Sequence, residues 1–289
     1  GSLFLLIALF NGSKKVYWGS WGLLLLAFTF HTLGFLLRIY IVGRPPVSNM
    51  YETVVWVPWG AMVFAFIMEI KNKNRIILLM ASLSAMLCLI LTNVAPTVLD
   101  ASLHPLEPVL RSTFWLTTHV LMITISYGAF LLAWGLGNLI LVLTLLGENK
   151  NKKMIKESAK AIYGALKIGA VLLAGGIILG GVWADYSWGR FWGWDPKETW
   201  ALIALLGYLA ILHAKIVGWV RDFGLGVTAV VAFSLVIMAW YGVNFILGAG
   251  LHAYGFGTGG VEYVVGATVL ELLFALYVVI VRQGSLKKG

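Results

Sequence analysis

Residues 114–146 read FWLTTHVLMITISYGAFLLAWGLGNLILVLTLL, a run with no Asp, Glu, Lys or Arg and one histidine, His119. Wound as one α-helix at 1.5 Å per residue, it would extend ~50 Å against a hydrocarbon core of ~30 Å. It reads as a transmembrane helix whose excess length is taken up by tilt and by projection beyond the bilayer, with His119 on the projecting first turns. Seven further runs supply spanning length: Trp18–Val42, Tyr51–Ile70, Ile76–Val94, Ala161–Val182, Thr199–Trp219, Gly224–Leu247 and Val261–Val281. Each is continuously apolar, without the alternation of a membrane barrel, so the expected fold is all-α. It is a polytopic transmembrane helical bundle of about eight spanning helices, one membrane domain over residues 1–289. Composition agrees: 60% of residues are hydrophobic, 11% are charged and mean hydropathy is +0.90, where a soluble domain carries about a quarter charged residues.

The net charge of +9 is a topology signal. Loops placed alternately on two sides put Lys14, Lys15, Lys71, Lys73, Arg75, Lys150, Lys152, Lys153, Lys156, Lys160, Lys215, Arg221, Arg282, Lys287 and Lys288 on one face. Arg38, Arg44, Arg111, Arg190 and Lys197 fall on the other, and Lys167 lies within a span. By the positive-inside bias the first face is cytoplasmic. The distribution gives no reason to expect a nucleic-acid partner; the partner it implies is membrane lipid, whose headgroups the lysine-rich connector 147–160 would meet. The short apolar run 3–10 is expected to be the tail of a helix that begins earlier. The single cysteine, Cys88, reads as a small packing residue within the third span.

Composition changes in the outer loops, most of all in residues 183–200, WADYSWGRFWGWDPKETW, which hold five of the chain's 13 tryptophans. An aromatic belt would explain tryptophans at a bilayer interface. Glycines interleaved with indoles suit a loop folding over a flat, planar cofactor. Asp195, Pro196 and Glu198 form a capping box, N-cap, N1 and N3, that opens the following helix. Among the histidines, His119 and His252 fall at outer helix ends on either side of the tryptophan loop. Neutral imidazole is a common haem-iron ligand, and such a pair would suit a six-coordinate site. His213 is expected some 20 Å inside its span, where a titratable group is a functional hypothesis by default, and His31 deserves the same. His104 reads as a surface residue of a proline-rich loop.

WGRFWGWDPKETW resembles the tryptophan-rich WWD signature of the haem-handling proteins of cytochrome c biogenesis, and its DPKETW ending is similar to the CcsA branch. Agreement continues in order and spacing through Pro46–Glu52, Trp115–His119, His213, Asn244-Phe245 and Gly250–Gly255. The resemblance implies that His119 and His252 are external axial ligands of a non-covalent haem b, that Trp188, Trp192, Trp194 and Asp195 belong to a haem-contacting loop, and that His213 is a ligand within the membrane. It implies no role for His31 or His104. It also implies an integral membrane protein of a bacterial inner membrane or its equivalent, with the WWD loop, His119 and His252 on the non-cytoplasmic face. Its partners would be a CcsB-like subunit or fused half and an apocytochrome c bearing CxxCH. The activity would be presentation of haem for thioether attachment, as part of a cytochrome c synthase. Two other classes stay open on the residues alone. A membrane electron carrier would pair His31 and His213 on facing helices, and a secondary transporter would show inverted repeats and broken helices.

Overall fold

The computed structural model describes residues 1–96, 98–103, 113–248 and 259–286; for Thr113, Leu116 and Leu286 it describes the backbone alone. Among the described residues every regular element is helical. They are α1 (Ser2–Asn11), α2 (Lys14–Val42), α3 (Met50–Asn72), α4 (Ile76–Val94), α5 (Thr113–Leu145), α6 (Lys152–Trp188), α7 (Pro196–Ile216), α8 (Asp222–Ile237) with a π-helical continuation (Met238–Leu247), and α9 (Val261–Leu286). Eight are long and apolar enough to cross a bilayer, the number expected. The chain is an integral membrane protein. Lysine-rich and tryptophan-bearing segments alternate between successive spans, so the bundle is described by a lysine end and a tryptophan end.

Helix ends are set by local chemistry. Ser13 caps α2 by accepting from the Val16 N–H at 3.4 Å, and Asn49 caps α3 by accepting from the Glu52 N–H at 2.8 Å. Gly43 and Gly189, both at φ 67°, stop α2 and α6 in the left-handed conformation. α2 begins at Lys14 where Trp18 was expected and α9 ends at Leu286 where Val281 was expected; the other differences concern α6, α7 and the segment after α8. α6 is longer at both ends than Ala161–Val182: its first turns absorb most of the lysine-rich connector, and its last turns carry Trp183 and Trp188, expected in a loop. Apolarity marks where a helix meets the membrane, whereas backbone hydrogen bonding continues until a residue breaks it, here Gly189. α7 begins at the capping box and ends at Ile216, three residues earlier at each end than its apolar run. The π-helical turns of Met238–Leu247 were not foreseen, since they leave no hydrophobic period to read.

α5 is the pivot. Phe130, Leu132, Leu136, Ile140 and Leu141 are fully buried, and α3, α4, α6, α8 and α9 all pack on this helix. The approaches are close. A Cβ at Gly128 would stand 2.8 Å from the Val57 carbonyl oxygen and 2.9 Å from the Ala61 nitrogen of α3. One at Gly176 of α6 would stand 2.5 Å from Ile123 Cγ1 of α5. Small residues let membrane helices approach and gain packing energy where no hydrophobic driving force separates helix from lipid. The Phe130 and Tyr208 rings stack 3.7 Å apart and tie α7 to the same core. α2 and α9 lie at the periphery, and their exposed leucines and valines suit a lipid environment. α1 packs on α2 and α4, with Leu5 and Ala8 fully buried and Ser2 Oγ donating to Ser82 Oγ at 2.9 Å.

Most charges are gathered at the two ends; Lys167 of α6 and Glu271 of α9, which accepts from Asn138 at 2.6 Å, lie within spans. At the tryptophan end, fully buried Glu52 accepts from Arg38 Nε at 2.8 Å, Arg44 at 3.0 Å and the Ser48 N–H at 2.8 Å, while Arg38 also donates to the carbonyls of Ala101 and Ser102. This ties α2, α3 and the loops beside them into one unit. At the lysine end Arg282 grips Glu148 through two hydrogen bonds of 2.6 and 2.9 Å, which hold the Glu148 carboxyl below its usual pKa. Half-buried Cys88 packs against the core.

The α3–α5 crossing predicts that Gly128→Ala, a single added methyl, forces two backbones apart. Its cost should be about 1–3 kcal/mol, as for overpacking generally, read as a lowered thermal transition in detergent. Gly266→Ala on α9, where a Cβ meets nothing within 4 Å, should leave the transition unmoved or raise it slightly through helix propensity.

Candidate functional site

A cavity of about 510 Å³ opens at the tryptophan end between α5, α6, α7, the π-helical segment and the turn that leads into α3. This is within the range of roughly 300–1,000 Å³ usual for cofactor and ligand sites. Its wall is mainly apolar, with polar residues that include His119, Lys197, Glu198, Arg44 and Asn244 beside Ser48, Asn49, Thr53, Thr117 and Thr124.

His119 stands in the second turn of α5. The ring is buried, contrary to the projecting, wetted position that the length of the helix suggested, because α6 is long as well and covers it. Trp183 of α6 stacks on the imidazole with centroids 5.3 Å apart and planes at 27°. The opposing helix can come this near because it presents Gly180, where a Cβ would already lie 3.3 Å from His119 Cδ2. His119 Nδ1 lies 2.7 Å from the Trp115 carbonyl oxygen. A carbonyl only accepts, so Nδ1 carries the proton and the ring's lone pair sits on Nε2, the arrangement of a metal-binding imidazole. Four residues of spacing within one helix therefore set the tautomer.

The tryptophan loop divides by role. Trp192 lines the cavity. Trp188 stands behind the wall, edge-on to Trp183 at 4.7 Å, with Arg190 over its face at 5.5 Å. Trp194 is 70% exposed, in a left-handed conformation (φ 57°) rare for a bulky residue, and meets Trp192 edge-to-face at 5.8 Å. The capping box expected at Asp195 is formed. Buried Asp195 accepts from the Lys197 N–H at 2.9 Å, and Glu198 accepts from the N–H groups of Asp195 at 3.2 Å and Gly193 at 2.8 Å. Arg190 completes it with a 3.0 Å ion pair to Glu198. The cap thus folds the loop back over the end of α7, and Asp195 serves the backbone.

The other histidines are distributed as follows. His252 and His104 lie outside the described residues. His31 Nε2 lies 3.1 Å from the Val55 carbonyl oxygen and its ring stacks on Phe35, so it joins α2 to α3. His213 is in the last turn of α7, nearer the lysine end than expected because the helix starts and stops three residues early; it is exposed, and Nδ1 lies 2.6 Å from the Leu209 carbonyl oxygen. α2 packs on α1 and α3, and α7 on α6, α8 and the π-helical segment. His31 and His213 are therefore not on facing helices, as a paired intramembrane site would require. Among the described residues no group of three or more His, Cys, Asp or Glu side chains is placed to hold a bare metal ion.

Sequence reasoning passed over three residues that build the wall. Trp183 was counted in the cluster but assigned no contact, although it bears directly on His119. Gly180 could have been found from the paired glycines 175–176 and 180–181, a small-residue stripe facing α5. Lys197 was counted only among the charges of the outer face.

Residues 47–252 match the family described as Cytochrome C assembly protein. The chain is 38% identical over 231 residues to protein NrfI of Wolinella succinogenes, an alignment that covers 78% of this chain and 25% of that protein. It therefore spans about a quarter of that relative's length. It is 35% identical over 259 residues to the cytochrome c biogenesis protein CcsA of Prochlorococcus marinus, covering 78% of this chain and 80% of the other. With CcsA of Chlorella vulgaris the identity is 32% over 262 residues, covering 78% and 82%. With the family's pattern matched over most of its length and its tryptophan segment folded onto a histidine-bearing cavity, the chain belongs to the CcsA family of cytochrome c biogenesis proteins.

Proposed function

We propose that the cavity holds a non-covalent haem b on the non-cytoplasmic face and presents it to an apocytochrome c for covalent attachment. The observation that carries the reading is His119, buried under Trp183 on the wall of a largely apolar cavity with its tautomer fixed for metal binding at Nε2. The residues present fit a planar, apolar macrocycle with one metal centre: an imidazole that would hold the metal, indoles on the cavity wall, and an otherwise mainly apolar lining. His252, from the segment after the π-helical turns, is assigned as the second axial ligand.

Bound haem supplies the iron and the two vinyl groups, and the thiols of a CxxCH segment supply the nucleophiles. The chain's residues do the positioning. His119 would hold the iron, Trp183 and Gly180 hold that imidazole in place, and Trp192 would meet the bound group from the cavity wall. Trp188 supports Trp183 from behind. Trp194, exposed and strained, stands where an incoming polypeptide would meet the loop. His119 and His252 would be the residues that give way to the histidine of CxxCH when the product leaves. A CcsB-like subunit or fused half completes the synthase.

His213 is assigned to an earlier step, as an intramembrane ligand on the supply route. Its ring repeats the His119 geometry, with Nδ1 bonded to the carbonyl four residues back. Its exposure on the outside of α7 leaves the facing ligand to come from the partner half.

The test is replacement of the ligands. His119→Gly and His252→Gly should each lower the haem retained on purification by about tenfold or more and abolish cytochrome c maturation, with partial recovery of both on added imidazole, which fills the vacated axial position. Full haem content and an unchanged absorption spectrum in both variants would refute the assignment. Gly180→Val should act in the same direction without touching the iron, since its methyls would push into the His119 ring. Trp194→Ala should leave haem content near normal while slowing maturation, whereas Trp192→Ala should lower haem content itself. His213→Ala should yield less haem with the same spectrum, refilled by haem added to the purified protein; normal loading in cells would leave His213 as a packing residue.

A further inference from the structure

The cavity has a charged side that the iron-ligand reading does not use. Lys197, on the first turn of α7, lines it and is partly buried, its ammonium donating to the neutral Asn244 amide oxygen of the π-helical segment at 3.3 Å. Arg44 lines it from the turn before α3, buried, with Glu52 as its acid partner at 3.0 Å. Glu52 is shared with Arg38 at 2.8 Å, so one carboxylate stands between two guanidiniums. Cations in an apolar membrane-protein cavity are costly to bury and are by default functional. Neither is needed to build the helix end: the Asp195 cap uses the Lys197 backbone N–H, and the α3 cap is Asn49.

We infer that Lys197 and Arg44 form the carboxylate-binding side of this cavity and take the two propionate groups of the haem whose iron His119 ligates. The inference rests on the haem reading and deepens it. A haem is amphipathic, with two carboxylates on one edge and the vinyl groups away from it. A site that only stacked and ligated could accept the ring in several rotations about the iron–histidine axis. Cations at one side of the cavity remove that freedom: the propionates go to Lys197 and Arg44, and the vinyl groups point elsewhere, where thiols can reach them. Arg44 can present its fork to a carboxylate, while Lys197 acts as a point charge that its flexible stem can move. The π-helical segment has a part here, because Asn244 accepts a hydrogen bond from the Lys197 ammonium.

The experiment titrates the natural full-length protein, purified in detergent from haem-limited cells, with ferric haem and separately with its dimethyl ester, which keeps the iron, ring and vinyl groups but carries no charge on the propionates. Binding is read from the Soret band. The unmodified protein should prefer haem by about tenfold or more, the scale of a charge-assisted hydrogen bond lost. Lys197→Met, which keeps the stem and the backbone cap, should reduce that preference several-fold, and Lys197→Arg should restore it; Lys197→Gln serves if the methionine variant does not accumulate. Equal binding of haem and ester by the unmodified protein, or a preference untouched by both neutral variants, overturns the inference while leaving His119 as ligand. A lipid phosphate held by these cations would give that same indifference to esterification. Binding of neither compound, or a Soret band indifferent to His119→Gly, removes the haem reading and this inference with it.

Discussion

The structure depends on how closely other helices can approach α5. In lipid, a helix gains nothing from burying leucine, so association rests on packing and on the few polar contacts available. Four neighbours reach α5 at glycine: α3 at Gly128, α4 at Gly135, where a Cβ would stand 2.7 Å from Ser84 Oγ, α6 at Gly176, and α8 at Gly137, where a Cβ would stand 2.7 Å from the Gly226 carbonyl oxygen. A helix held on so many sides can neither tilt nor turn freely. The histidine on its second turn inherits that rigidity, and Gly180 brings Trp183 onto the ring by the same device. The position of the candidate ligand thus follows from the interhelical distance.

The second constraint is polar. Each cluster at the tryptophan end joins elements that the sequence separates. Glu52 collects α2 through Arg38 and the turn after it through Arg44 and Ser48, and Glu198 collects the loop 190–195 through Arg190 and two backbone N–H groups. Buried ion pairs of this kind contribute little net stability, since desolvation offsets the attraction, but removing one partner is expensive. Their effect is to fix which loop lies where. The walls of the cavity are therefore positioned twice, from below by α5 packing and from above by these carboxylates.

The number and order of spans were legible, because twenty apolar residues in a row have one common solution in a membrane. The Asp195 cap was legible for a similar reason: N-cap, proline and glutamate at fixed spacing describe local hydrogen bonds, and local chemistry survives tertiary context. Elsewhere the sequence could not show which surfaces meet. His119 read as a projecting residue because the matching length of α6 lay hidden in a charged segment, Lys152–Lys160, and in aromatic residues taken for loop. His213 read as deep because its helix was placed three residues late. The tryptophans read as one cluster, yet the fold sends Trp192 inward, Trp188 behind Trp183 and Trp194 outward. Composition brings residues to one end of a bundle; backbone geometry decides what each one faces.

On the proposed function, the choice of partner for His119 has a chemical consequence. Metal-binding histidines are often backed by a carboxylate, which raises the basicity of the imidazole and tightens the metal. Here the backing group is a backbone carbonyl of the same helix, as it is for His213. A carbonyl fixes the ring and the tautomer at no cost in buried charge, but it donates less electron density to the ligand. That suits a protein whose haem must leave. An axial ligand strong enough to trap the iron would compete with the histidine of the incoming CxxCH segment, whereas one that is well oriented and only moderately basic holds the haem in place and still yields it. The tautomer follows from helical spacing in both histidines, so on this reading the direction of each ring is set by the backbone of the helix that carries it.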